Sequence, residues 1–229
     1  MLWLEVGTTN KNPYVTAGFF LGTVKKLERF LTLIYADYGT ENPVIESPQI
    51  GLGAGHNNRL AGAKSSMEGK SVHNVKIESF WAQMRKLVVD VYIQLFGAMK
   101  EKNIFNGSDL HKKCLQFCFG PLIRCDLIEA RELWNKHHIR KQPNRNTPNG
   151  KPYALYNLPE NYGATNHRKD VDLAAVDRHI HEFSQPSILF DSQFAEIANI
   201  LMPNLQTPTN AEDALKLYGN LLRLIEQAI

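Results

Sequence analysis

Ile77, Phe80, Trp81, Met84, Leu87, Val88, Val91, Leu95 and Phe96 recur at three- and four-residue intervals, which predicts one long amphipathic helix over residues 75–100. Upstream, the apolar run Leu2-Trp3-Leu4 with Val6 predicts a short buried strand over residues 2–6. Tyr14, Ala17, Phe20, Leu21, Val24 and Leu27 follow the helical period after Asn12-Pro13, so a helix is expected over residues 13–29. The β-branched and aromatic stretch 31–36 then predicts a second strand, which runs into Asp37-Tyr38-Gly39. Residues 40–72 are rich in Gly, Ser and Asn and show no period, so they are expected to form a long loop with at most one short element. A second helix is expected over 109–135, interrupted near Gly120-Pro121. Two or three more helices follow after residue 170, the last opening with a capping box at Thr209 and Glu212. No internal repeat is visible.

Composition narrows this α/β reading. A chain of 229 residues, 43% hydrophobic, suffices for one domain with a full core and an appendage. No apolar run is long enough to span a membrane, and residues 1–10 lack the basic start of a secretory leader. Three cysteines exclude a disulfide scaffold and fit a reducing, intracellular compartment. Charge is unevenly spread: residues 1–169 hold 23 Lys and Arg against 14 Asp and Glu, and residues 170–229 hold 3 against 9. A body at +9 is the footprint of a polyanion partner, and a tail at −6 can screen it or recruit another protein. The expected organisation is a core with a helical extension (1–135), a basic Pro- and Asn-rich linker (136–169) and an acidic helical tail (170–229).

Several residues could carry chemistry. Asp37 closes a strand, the place where open α/β sheets set their working groups, and Glu78 sits in the first turn of the long helix. At 100° per residue Asn74, Glu78 and Arg85 share one helix face, and Lys86 follows. Two carboxylates can share Mg²⁺, and a cation two turns away can hold a phosphate. Taken singly, an Asp in an Asp-x-Gly turn or a Glu in a first helical turn is an ordinary structural feature. Arg140, Lys141, Arg145 and Lys151 lie in a loop able to track a phosphate backbone or simply to be solvated. His111, Cys114, Cys118 and Cys125 return to one helix face, but without a Cys-x-x-Cys pair they read as core thiols rather than a zinc site. Trp81 and Trp134 read as core. Gly51 and Gly53 do not make a dinucleotide fingerprint, because position 56 is His and no strand leads into the pair.

The segments Tyr35-Ala36-Asp37-Tyr38-Gly39-Thr40-Glu41-Asn42 and Ser71-Val72-His73-Asn74-Val75-Lys76-Ile77-Glu78-Ser79-Phe80-Trp81 resemble the second and third carboxylate motifs of the DDE integrase and transposase superfamily. More narrowly, the chain resembles transposon-derived integrase core domain proteins, over most of residues 2–163. The resemblance implies an RNase H-like fold, DNA as partner, and two Mg²⁺ (or Mn²⁺) ions held by three carboxylates for in-line attack on a phosphodiester. Asp37 and Glu78 would be the second and third ligands; Asn74, Arg85, Lys86, Arg140, Lys141 and Arg145 would hold nucleic acid; the 43–72 loop would close over the strand. A nuclear or cytoplasmic location follows from a DNA partner. The family's first Asp lies upstream of the segment matched by residues 2–6, so two strands of the five-stranded sheet and one ligand are expected to be missing, and Glu5 is not at the catalytic place. That implies weak metal binding and incomplete catalysis, with a scaffold that binds a protein partner, or a second copy, through its helical tail as the alternative.

Overall fold

The computed structural model describes all residues except 10, 38–41, 70–74, 142, 144–147 and 229, with the backbone alone at 37, 42, 43, 75 and 76. It comprises two compact units, one of Met1–Trp3, Thr9–Ser79 and Leu133–Ser187, the other of Leu4–Thr8, Phe80–Glu132 and Ile188–Ile229. No helix among the described residues is long and apolar enough to cross a membrane.

In the first unit, α1 (Pro13–Leu27) starts where the Asn12 side chain accepts from the Tyr14 N–H and stops at Glu28, which turns left-handed at φ 52°. Strand β1 (Arg29–Leu31) pairs antiparallel with β4 (Arg168–Asp170), and β2 (Ile34–Asp37) pairs parallel with β3 (Ser66–Gly69). A parallel pair needs a crossover, supplied here by α2 (Asn42–Gly53) and a 3₁₀ turn (Gly62–Ser65). Helices α6 (Pro152–Asn157) and α7 (Leu173–Phe183) complete the unit. Its core gathers Phe20, Leu21, Val24, Phe30, Leu52 and Val176 from α1, β1, α2 and α7.

The mixed α/β class expected from sequence is present, but the described strands form two separate two-stranded sheets rather than one larger sheet. Residues 2–6 find no strand to pair with among the described residues; Leu4 is buried, and the chain there is not a strand. Of the stretch expected as a loop closing over substrate, residues 42–53 form a helix docked in the unit, 62–65 a 3₁₀ turn and 66–69 a strand, and 70–72 lie outside the described residues. The glycines of the helix are packing notches: a Cβ on Gly51 would lie 2.9 Å from His179 Nε2, and one on Gly53 would lie 3.4 Å from Ser65 Oγ. Gly and Pro48 inside a helix suppress the periodic signal, which is why composition pointed to a loop.

The second unit is helical. Helix α3 (Val75–Met84), whose residues from Phe80 onward belong here, passes through a π segment (Arg85–Val89) into α4 (Asp90–Glu101). Phe80, Met84, Val88 and Tyr92 are all buried at strict four-residue spacing. In an uninterrupted α-helix that spacing drifts about 40° per step and would carry Tyr92 away from the core. The wider π turn absorbs the drift, so the long helix keeps one buried face. The predicted 75–100 helix is therefore present, with a bulge that periodicity alone does not show.

Helix α5 (Asp109–Lys136) runs through Gly120-Pro121 without the predicted interruption. Gly120 is there for access: a Cβ would meet Leu189 Cγ at 3.0 Å. After Pro121 the buried face moves to Leu122, Leu127 and Ala130, leaving Cys125 exposed while Cys114 and Cys118 are fully buried. Helices α8 (Ser192–Leu201) and α9 (Ala211–Ala228) follow. The cap of α9 is Asn210, which accepts from the Asp213 N–H at 2.9 Å and donates to its carboxylate at 2.7 Å, one residue later than the expected Thr209 and Glu212 box.

Candidate functional site

The parallel register aligns Ile34 with Ser66 and Asp37 with Gly69, so both strands end on the same edge of the pair. From that edge the chain goes on to α3, where Glu78 stands in the first turn, nine residues after Gly69. In open α/β sheets the space beyond the carboxyl ends of the strands is where ligands bind. Glu78 is exposed and makes no ion pair among the described residues. Asn74 and the side chain of Asp37 lie outside the described residues, as does Arg145.

Arg85 and Lys86 open the π segment and are exposed in the second unit, whereas Asp37 and Glu78 belong to the first. Arg85 Nε donates to Asp90 Oδ1 at 3.0 Å across five residues, an exposed pair worth about 0–1 kcal/mol and therefore readily exchanged for a phosphate. Arg140 and Lys141 are exposed just beyond Ile139, which is bridged to Gly150 in the first unit. Glu5 faces Arg124, with Oε2 3.6 Å from Nε.

Two features escaped sequence reasoning. Trp81, expected in the core, is 52% exposed: it lies beside the buried stripe of Phe80 and Met84, and helical spacing does not distinguish the flank of an apolar face from its centre. Tyr35 lays its ring over Gly69, where a Cβ would collide with the phenol. The glycine at the end of β3 thus leaves room for the Tyr35 ring on β2, a pairing that only strand register reveals.

Cys114 and Cys118 behave as core groups, whereas Cys125, expected on the same buried face, is exposed. Burial, with the Glu226 charge adding to it, pushes the Cys114 thiol up to about 12, and such thiols are inert. Among the described residues no group of three or more His, Cys, Asp or Glu is arranged to hold a metal ion.

Residues 1–156 match the integrase core domain family. The protein belongs to that family. The match spans Asp37, Glu78, Arg85 and Lys86 and ends within α6 of this integrase core domain protein. No curated protein and no solved structure matches it.

Proposed function

We propose that this integrase core domain protein is an integrase- or transposase-like nucleic-acid-binding protein of RNase H-like ancestry, working on DNA in the nucleus. The observation that carries the proposal is the parallel register that ends Asp37 opposite Gly69 and leads on to Glu78. A strand–helix–strand unit with an acid at the strand end suits an RNase H-like core. Asp37 and Glu78 are hard oxygen donors of the kind Mg²⁺ or Mn²⁺ prefers, and Glu78, exposed and without an ion pair among the described residues, suits a cation. Together they would hold the metal, which when bound supplies electrostatic stabilisation to in-line displacement at phosphorus. Asn74, Arg85, Lys86, Arg140, Lys141 and Arg145 supply hydrogen bonds and positive charge to the DNA backbone.

Duplex DNA binding followed by fluorescence anisotropy tests this. Affinity should fall steeply with salt, and Lys141→Ala should lower the slope of log K against log salt by about 1. Mn²⁺ binding, read from its electron paramagnetic resonance signal, should vanish in Glu78→Gln. Absence of DNA affinity at low salt would sink the reading. A competing scaffold function draws on α8, where Ile200 is 75% and Ile197 48% exposed; association through that face would be insensitive to salt.

A further inference from the structure

Residues 136–169 hold seven Lys and Arg against a single acid, Glu160. The described part of this basic stretch has a defined base. Ile139 and Gly150 exchange backbone hydrogen bonds of 2.9 and 3.0 Å, so Arg140 and Lys151, the next residues, emerge from one closed base. Gly150 adopts φ +133°, and the Tyr162 ring lies against it, 2.9 Å from where a Cβ would stand. Helix α6 begins two residues on, and its inner side is anchored by Arg168, which lies 5.0 Å over the Tyr156 ring and donates to the Asn157 carbonyl at 3.3 Å. That anchoring occupies Tyr156 but leaves Tyr153 66% and Tyr162 43% exposed.

Exposed aromatic rings carried on the same ordered segment as exposed cations are what a single-stranded nucleic acid needs: rings for unstacked bases and cations for the backbone. A duplex cannot use the rings, because its bases already stack on one another. We infer that the surface formed by Arg140, Lys141, Lys151, Tyr153 and Tyr162 is a binding site for an unpaired nucleic-acid strand, with Tyr153 as a base-stacking residue. This rests on the nucleic-acid reading above and adds to it the class of strand and the residue that stacks.

The full chain is titrated by anisotropy against a labelled oligothymidylate and against a duplex of equal length at low salt. Tyr153→Ala should weaken single-strand binding about tenfold, the equivalent of about 1.4 kcal/mol of stacking, and leave duplex binding unchanged. Tyr153→Phe, which keeps the ring, should restore it. If the wild type binds duplex but Tyr153→Ala binds the oligothymidylate unchanged, this inference is overturned and the general DNA reading stands. If the wild type binds neither, both are overturned.

Discussion

Tyr218→Ala is expected to destabilise the second unit by about 3–5 kcal/mol, measured as a loss of midpoint in denaturant unfolding of the full chain. Tyr218 is fully buried on α9 among Leu217, Leu221 and Leu222, so its removal leaves a cavity. Its hydroxyl donates to the Ile104 carbonyl at 3.2 Å and lies 2.6 Å from His111 Nδ1. Tyr218→Phe separates the two contributions: it keeps the packing but strands both partners, at about 1–3 kcal/mol.

The same residue gives a pH signature. Burial, reinforced by the Cys114, Cys118 and Glu226 charges, pushes the Tyr218 phenol up to about 12 from 10.0, and Cys114 rises to about 12 from 9.0. Cys118 and Tyr92 are raised as well, both mainly by burial, with Tyr92 also hydrogen-bonded to Asp126. All four are held neutral in the fold and ionise more easily in the unfolded chain. Their contribution is complete below the ordinary pKa values and is lost as pH rises through the folded ones, so unfolding is expected in the window from about 9 to 12. Tyr218→Phe should flatten the loss above pH 10, where its own phenol would otherwise titrate. Native Tyr218 phenolate appearing at the ordinary pKa by absorbance would contradict this account.

The second large effect concerns Gln49. It is fully buried on α2, and its Nε2 donates to the Leu31 carbonyl at 2.8 Å and the Ser65 carbonyl at 3.3 Å, tying the end of β1 to the start of β3. Its Oε1 has no hydrogen-bond partner among the described residues. Gln49→Leu removes the shared donor and leaves two carbonyls short, which costs about 1–3 kcal/mol once relief of the orphaned Oε1 is included. Gln49→Glu should be worse at neutral pH, because a buried carboxylate would face two carbonyls and no donor in place of the amide. Burial raises the carboxyl pKa, so stability is present below the unfolded pKa and falls as pH rises; the variant should recover on acidification. Equal stability of both variants and the wild type across that range would refute the tie. Because β3 carries the register partner of Asp37, the same variants should also weaken any metal binding at Asp37 and Glu78.

What could be read without the structure was what near neighbours settle. The 75–100 helix, α1 and the tail helices are written in spacings of three and four, and the basic body and acidic tail follow from counting. The segments around Asp37 and Glu78 that resemble carboxylate motifs are short runs attached to a strand and a helix, and the strand and helix were legible. What only tertiary structure decided depends on partners far along the chain. Residues 2–6 have strand composition, yet a strand needs a neighbour, and none pairs with them among the described residues. Gly51, Gly53 and Gly120 look like breaks and are notches for His179, Ser65 and Leu189. Trp81 has core spacing and stands half in solvent, because a helix burial arc ends where its neighbours end. The π segment exists because the packed face must stay straight over four contacts while an α-helix turns, a conflict between local geometry and tertiary packing that the bulge resolves.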